Sequence, residues 1–184
     1  MPTLEDARLN AAGPATDALR LLTSAAGFAA LADAGVAAWS AQGLRGSQAP
    51  IVCFTLAQAV ELAMKAYLLQ RGVPLVDLGK GKFGHDLADV LKEARARGMQ
   101  SRVLPAVFFD PLNRTYRGSK QLQYPNVDGF VLPPLRATRE MVEEFIAEAT
   151  VAIESLPIGH FAAVPSAIAA YPGASLANAL AMHP

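Results

Sequence analysis

The strongest constraint on the fold is the stretch from residue 50 to residue 70, where apolar side chains occupy nearly every position of a predicted helix. Pro50 suits the first turn of such a helix, and Gly72 supplies its stop directly after Arg71. A helix that is apolar on every side is usually buried at the centre of a protein. The sequence therefore predicts a central helix over about residues 47–70, around which the other elements pack.

Apolar periodicity predicts further helices along the chain and no convincing strand. Gly27 and Gly35 leave open whether the first helix continues through residues 36–42 or a separate short helix forms there. We expect residues 1–159 to form one all-α domain, an antiparallel up-and-down bundle of four to five helices, followed by an Ala/Pro-rich C-terminal tail, residues 160–184. The predicted helices span about residues 15–34, 47–70, 86–97 and 135–156, and residues 103–113 form a shorter helix or a turn.

The overall composition favours a soluble, cytoplasmic protein. The 184 residues carry a formal net charge of zero, which gives no global attraction to nucleic acid or to a membrane. The single cysteine, Cys53, excludes an internal disulfide and favours a reducing compartment. There is no secretory signal pattern, and Gln58, Glu61 and Lys65 interrupt the most apolar stretch. We therefore expect no membrane-spanning segment.

Glu61 and Lys65 stand four residues apart on the central helix, in the order that favours an ion pair. Burying a charge is costly unless it is paired and hydrogen-bonded, so the two residues would either fix the helix register or belong to a polar site. His85 opens the next predicted helix, where its ring can reach the N–H groups of that helix or the Glu61 carboxylate. We interpret the three residues as a structural polar cluster, with a functional site as the alternative.

Positive charge concentrates in residues 80–120, which hold nine Lys and Arg against four acidic residues. Within this basic segment Arg114 and Arg117 stand on either side of Tyr116, and Lys120 follows. Guanidinium groups bind phosphate, and an aromatic ring can stack on a base. The four residues therefore indicate a ligand-binding segment. The alternative is a surface loop with solvated arginines, whose tyrosine packs on the bundle.

The common motifs for metal, nucleotide and hydrolase chemistry are missing from the sequence. It contains no HExxH, no Cys/His cluster, no GxxxxGK[ST], no GxGxxG and no GxSxG. His160 and His183 lie in the C-terminal tail without companion ligands. We therefore expect no metal and no cofactor.

Two stretches of the chain share a pattern with a known family. Residues 59–72, AVELAMKAYLLQRG, resemble a helix of the type AxExxLKAxLxxxG, with Met64 in place of the first Leu, and Gly84-His-Asp-Leu87 matches an HxL helix start. Asn113-Arg-Thr-Tyr116 with Gln123-Tyr-Pro125 is similar to an element that some members carry after their third helix. Over about residues 50–155 the chain thus resembles the HEPN superfamily, the higher eukaryote and prokaryote nucleotide-binding domain. The resemblance implies an all-α bundle, commonly a homodimer, often encoded beside a nucleotidyltransferase.

Many members of this superfamily are metal-independent RNases of toxin–antitoxin, abortive-infection and CRISPR-related systems, with an Arg-x4–6-His motif completed across the dimer. In this chain no Arg stands four to seven positions before His85, His160 or His183. The resemblance, with this departure, favours a non-catalytic module that binds a nucleotide, an RNA or a protein. A nucleotidyltransferase partner in a toxin–antitoxin or defence system would fit that role.

The alternative is a divergent endoribonuclease in which His85 acts with Arg114, Tyr116 or Arg117. Cleavage of a phosphodiester needs a base to activate the 2′-hydroxyl and a cation to stabilise the charged phosphorane. These residue types can supply both roles, so they are the candidate catalytic residues.

Overall fold

The computed structural model describes residues 14–42, 49–79, 83–101, 106–116 and 133–154. Within these ranges the chain forms six helices and no strand. The helices are α1 (Pro14–Gln42), α2 (Ala49–Gln70), α3 (Leu75–Leu78), α4 (Leu87–Ala96), α5 (Ala106–Tyr116) and α6 (Leu135–Glu154). The all-α bundle predicted from the sequence is confirmed, and α3 is a single turn inside a stretch predicted as loop.

Helix α2 lies at the centre of the bundle and contacts α1, α4, α5 and α6. Its buried side chains lie on more than half of the helix circumference and include Leu56, Leu68 and Leu69. Each side chain of this size contributes about 1.5–3 kcal/mol on burial. The central position of α2 therefore follows directly from a helix that is apolar all the way round.

Helix α1 continues without a break through Gly27 and Gly35 to Gln42, which settles the alternative left open by the sequence. A Cβ atom built on Gly35 would lie 2.8 Å from Cγ2 of Val52, much closer than real Cβ atoms approach a neighbour. Gly35 therefore permits a close approach between α1 and the start of α2, and it does not end the helix.

Two helices are long and apolar enough to cross a membrane by the criteria of length and composition: residues 16–38 of α1 and the whole of α2. They pass by length and composition only, so the absence of a membrane-spanning segment stays a prediction. For α2, 78% of the most apolar window is buried inside the protein, so its hydropathy is that of a core helix. For α1 the buried share is only 22%, and the side chain of Leu31 is exposed.

Glycines end α2 and α4 in the same way, and the turn at Gly72 lets the chain return so that α4 lies beside α2. Gly72 and Gly98 have positive φ angles of 82° and 94°, which glycine adopts without a steric penalty. In each case the N–H of the following residue donates to a carbonyl five residues earlier, as in a Schellman cap. The chain after Gly72 returns to the middle of α2, and α4 then runs alongside the second half of that helix.

Helix α5 extends beyond the predicted end at residue 113 to Tyr116, with Pro111 in its interior. Proline disfavours a helix interior, which is why the sequence left a helix or a turn open for residues 103–113. Tertiary contacts outweigh this preference: Leu112 is fully buried, and Asn113 and Tyr116 hydrogen-bond to groups on other elements. Tyr116 thus lies in the last turn of a helix and not in an irregular segment.

Candidate functional site

The carboxylate of Glu61 accepts hydrogen bonds from three side chains at the centre of the candidate site. Lys65 Nζ lies 2.6 Å from Glu61 Oε1, and it also donates to the carbonyl oxygen of Gly84 at 3.0 Å. The Tyr116 hydroxyl donates to Glu61 Oε2 at 2.5 Å, and His85 Nδ1 lies 3.1 Å from the same oxygen. We call Glu61, Lys65, His85 and Tyr116 the Glu61 cluster; it joins α2, α5 and the segment before α4.

Burial divides the Glu61 cluster into an inner and an outer part. The side chains of Glu61 and Lys65 are only 4% and 9% exposed, so the charges stabilise each other away from solvent. The side chain of His85 is 71% exposed, although Nδ1 is held by the carboxylate. The structure thus brings together the three residues of the predicted polar cluster and places His85 at its solvent edge.

Tyr116 supports His85 from within the bundle. Its ring is buried and meets the His85 ring edge-on, with centroids 5.9 Å apart, and it also contacts Phe54 at 5.8 Å. Burial, together with the charge and the hydrogen bond of Glu61, raises the pKa of Tyr116 well above its ordinary value. The hydroxyl therefore stays protonated and donates to Glu61, which orients that carboxylate toward His85.

The N-terminus of α4, next to His85, is capped by protein groups. Asp86 is the N-cap residue, and its side chain accepts from the backbone N–H groups of Ala88 and Asp89 at 3.0 and 3.3 Å. The Asn113 side chain accepts from the N–H of Leu87 at 2.9 Å and donates to Asp86 at 3.3 Å. An anion at this place would therefore be bound by side chains, since these N–H groups already have partners.

Sequence reasoning missed the role of Asn113, which ties α5 to the start of α4. A usable signal was present, because Asn113 stands three residues before Tyr116 and therefore on the same side of a helix. The early end predicted for α5 left Tyr116 outside the helix and hid this relation.

The basic segment is only partly described. Arg114 is exposed on α5, Lys92 and Arg95 are exposed on α4, and Arg97 is exposed directly after α4. Arg117 and Lys120, which the sequence grouped with Arg114 and Tyr116, lie outside the described residues. The structure therefore unites His85 with Tyr116 and leaves Arg114 on the solvent side of the same helix.

Two further chemistries find little support among the described residues. No group of three or more His, Cys, Asp or Glu there is arranged so that it could hold a metal ion. Cys53 is fully buried, and burial raises the pKa of its thiol to about 12. A thiolate is the reactive form, so Cys53 does not suit the role of a nucleophile.

Comparison with known proteins gives one clear relationship. The family model described as HEPN domain matches residues 41–157, which is more than half of the chain. No curated protein and no solved structure matches the chain. Most of α1 and the C-terminal tail lie outside the matched range, whereas the Glu61 cluster lies inside it. The chain therefore belongs to the HEPN domain family and is, in general terms, a nucleotide- or RNA-related module.

Proposed function

We propose that this protein binds RNA or a nucleotide through the surface around His85 without cleaving it. The observation that carries the proposal is the contrast within one residue pair: Glu61 is buried, whereas the His85 ring that it holds is 71% exposed. A side chain held by a buried partner is oriented before a ligand arrives, so less conformational entropy is lost on binding. An exposed imidazole can donate to a phosphate or stack on a base.

Arg114 extends this surface. It follows Asn113, whose side chain contacts the start of α4, and it lies about 100° further round the helix. Its guanidinium is exposed and can form paired hydrogen bonds with a phosphate. Because the backbone N–H groups at the start of α4 already have partners, His85 and Arg114 are the groups that would contact the anion. Arg117 and Lys120 continue the same positively charged segment in the sequence.

RNA cleavage is the second candidate, and the Glu61–His85 contact is the observation that favours it. A carboxylate that accepts from Nδ1 leaves Nε2 of the imidazole as the nitrogen able to take a proton. In that reaction Nε2 of His85 would accept the proton of a 2′-hydroxyl while the hydroxyl oxygen bonds to the phosphorus. The bond from phosphorus to the 5′-oxygen would break, and the leaving 5′-oxygen would take a proton from water. Arg114 or Arg117 would stabilise the added negative charge. The missing Arg-x4–6-His motif makes binding without cleavage the preferred function.

Binding and cleavage can be tested together with a short fluorescein-labelled single-stranded RNA. Anisotropy should detect binding that weakens with added salt, because phosphate contacts release counterions. The variants His85→Ala and Arg114→Ala should each weaken binding about tenfold, equal to roughly 1.4 kcal/mol. Lys92→Ala, an exposed basic residue on α4, is the matched control and should change the affinity little.

The same RNA, analysed on a denaturing gel, decides between the two candidates. Intact RNA after incubation with a binding-competent protein supports the binding module. Cleavage that His85→Ala abolishes would establish the endoribonuclease instead. Unchanged affinity in both variants, or a loss as large in Lys92→Ala, would overturn the assignment of the surface.

The proposal includes a setting in the cell. Two copies of the chain associate, and the low buried share of α1, on which Leu31 is exposed, supports such an association. A nucleotidyltransferase encoded nearby is the expected partner, in a toxin–antitoxin or defence system of the cytoplasm. Light scattering on the purified chain tests the dimer, and co-purification with the product of the neighbouring gene tests the partner. A monomer at all concentrations would contradict the expected dimer. Absence of a complex with the neighbouring gene's product would contradict the expected partner.

A further inference from the structure

The hydrogen bond at the inner nitrogen of His85 determines which of the two ring nitrogens carries a hydrogen. Nδ1 lies 3.1 Å from Glu61 Oε2, an oxygen that also accepts from the Tyr116 hydroxyl, while Lys65 Nζ lies 2.6 Å from Oε1. Donors at both oxygens stabilise the ionised carboxylate, and an ionised carboxylate can only accept hydrogen bonds. Nδ1 must therefore carry a hydrogen and donate it to Glu61.

The outer nitrogen, Nε2, is left as an acceptor in the neutral form of His85. A neutral imidazole has one N–H and one lone pair, so a hydrogen on Nδ1 places the lone pair on Nε2. Because Nδ1 is directed at the buried carboxylate, Nε2 lies on the side of the ring that faces away from it, and the side chain is 71% exposed. The ammonium of Lys65 already offsets the charge of Glu61, so the cluster does not require a positive charge on the imidazole.

A lone pair on Nε2 selects a donor and not a phosphate. Phosphate oxygens accept hydrogen bonds, so only the imidazolium, with a hydrogen on both nitrogens, could donate to them. The neutral ring leaves the phosphate to the exposed guanidinium of Arg114. The ribose 2′-hydroxyl can donate, and it is the group by which a protein distinguishes RNA from DNA.

The position of the 2′-hydroxyl in the RNA chain favours it over the donors of the bases. Base amino groups can also donate to a lone pair, but uracil has none, whereas every ribonucleotide carries a 2′-hydroxyl beside its 3′-phosphate. Arg114 follows Asn113, whose side chain contacts the residues directly after His85. A phosphate bound by Arg114 would thus bring the hydroxyl of the adjoining ribose toward the His85 ring.

We infer that Nε2 of His85 accepts a hydrogen bond from a ribose 2′-hydroxyl and thereby makes the surface selective for RNA over DNA. The inference rests on the proposed function and adds the group that determines its specificity. In this arrangement Arg114 binds the phosphate and His85 binds the sugar. The buried carboxylate of Glu61 fixes which nitrogen of the ring is available.

The test compares two fluorescein-labelled single strands of the same sequence, one with ribose and one with 2′-fluoro sugars. Fluorine keeps an RNA-like sugar conformation and removes the hydroxyl donor, so the bases and phosphates are matched. Anisotropy is measured at about pH 8, where histidine side chains are mostly neutral. Wild type should bind the ribose strand about fivefold more tightly, a ratio that equals roughly 1 kcal/mol and is typical of one neutral hydrogen bond.

Two variants separate the sugar contact from the phosphate contact. His85→Phe keeps an aromatic ring and removes both nitrogens, so the ratio between the strands should fall to about one. Arg114→Ala is the matched comparison, because it should weaken both strands alike and leave the ratio at about fivefold. Both side chains are exposed, and circular dichroism verifies that each variant keeps its helices.

Three results would overturn the inference and leave the proposed function standing. They are equal binding of the two strands by wild type, a ratio that His85→Phe does not change, and tight binding of a 2′-O-methyl strand. That strand keeps the oxygen and lacks the hydrogen, so affinity equal to that of the ribose strand would show that Nε2 donates. Absence of binding to any strand would overturn the proposed function, and the inference with it.

Discussion

Two ionic clusters hold helices of this bundle together, and they differ mainly in burial. In the Glu61 cluster, the paired side chains of Glu61 and Lys65 are less than one tenth exposed. In the second cluster, the Arg139 guanidinium of α6 contacts the Asp33 carboxylate of α1 and pairs with Glu143 at 3.1 Å. Here Arg139 and Asp33 are 32% and 37% exposed, so water screens the interaction.

The surroundings affect the ionisation of the second cluster in opposing ways. Burial, followed by the hydrogen bond and the charge of Glu143, raises the pKa of Asp33, whereas Arg139 acts to lower it. The hydrogen bond with Glu143 raises the pKa of Arg139. Two carboxylates therefore share one guanidinium at the surface, whereas in the Glu61 cluster one carboxylate receives three donors. The two clusters thus differ both in burial and in the number of donors that each carboxylate receives, and both differences predict that the Glu61 cluster stabilises the fold more.

The largest expected effect is that of Glu61→Ala. It leaves the ammonium of Lys65 buried without its carboxylate, and breaking a buried pair in this way costs about 3–5 kcal/mol. Urea unfolding followed by circular dichroism measures the loss, with an unchanged m-value as the test that the transition is still comparable. Glu140→Ala, at a carboxylate that is 60% exposed on α6, is the control and should change stability by less than about 0.5 kcal/mol. Equal losses of stability in Glu61→Ala and Glu140→Ala would show that burial of the carboxylate makes no difference.

Tyr116→Phe should have an intermediate effect, because it removes one hydrogen bond to the Glu61 carboxylate. Such a bond to a charged group is worth about 1.5–3 kcal/mol, whereas Thr150→Val, which removes the bond of a buried hydroxyl to the Ile146 carbonyl, should cost about 0.5–1.5 kcal/mol. Urea unfolding at neutral pH measures both. A larger loss for Thr150→Val would show that the Glu61 carboxylate gains little from its third donor.

The pH dependence of Tyr116→Phe sharpens the same comparison. The folded-state pKa of Tyr116 is raised above the ordinary value of 10.0, so the unfolded tyrosine ionises first as pH increases. The stabilisation by Tyr116 is therefore fully present below pH 10.0 and decreases above it. The stability difference between wild type and Tyr116→Phe should shrink as pH rises above that value. A difference that grows with pH would contradict the position of the hydroxyl beside Glu61.

The smallest expected effect is that of Arg139→Ala. Because the pair with Asp33 is about one third exposed, its loss should cost no more than about 1 kcal/mol and should decrease in high salt. Urea unfolding at low and high sodium chloride measures both quantities. Arg136→Ala is the control, since Arg136 is 86% exposed and lies 3.9 Å from Glu140. A loss that approaches that of Glu61→Ala and resists salt would mean that the second cluster is effectively buried.

Much of the fold was predictable from local patterns. The apolar positions all round residues 50–70 predicted the buried central helix, and Gly72 and Gly98 predicted where α2 and α4 end. The end of α5 was not predictable in this way, because Pro111 disfavours the helix locally while Asn113 and Tyr116 are held by residues distant in sequence. Local propensity and tertiary contacts disagreed there, and the contacts outweighed the propensity.

The candidate site was predictable in its members and not in its arrangement. Glu61 and Lys65 were expected to pair because helix geometry places residues four apart on one side. The contact of Glu61 with Tyr116 spans 55 residues, and no sequence pattern specifies such a distance. The exposure of His85 depends in the same way on how α4 and α5 pack around it.

Residue types and their periodicity were thus enough to predict the family, the helices and the buried ion pair, because each of these is encoded by the spacing of residues close together in the sequence. Which side chains surround Glu61 and which face of α1 stays uncovered depend on the packing of helices that are far apart in the chain. Hydropathy cannot supply this information. The most apolar windows of α1 and α2 have nearly equal mean hydropathies of 1.5 and 1.4, yet 22% of the first window and 78% of the second are buried. A helix is buried by the helices that pack against it, and those contacts form only when the bundle assembles.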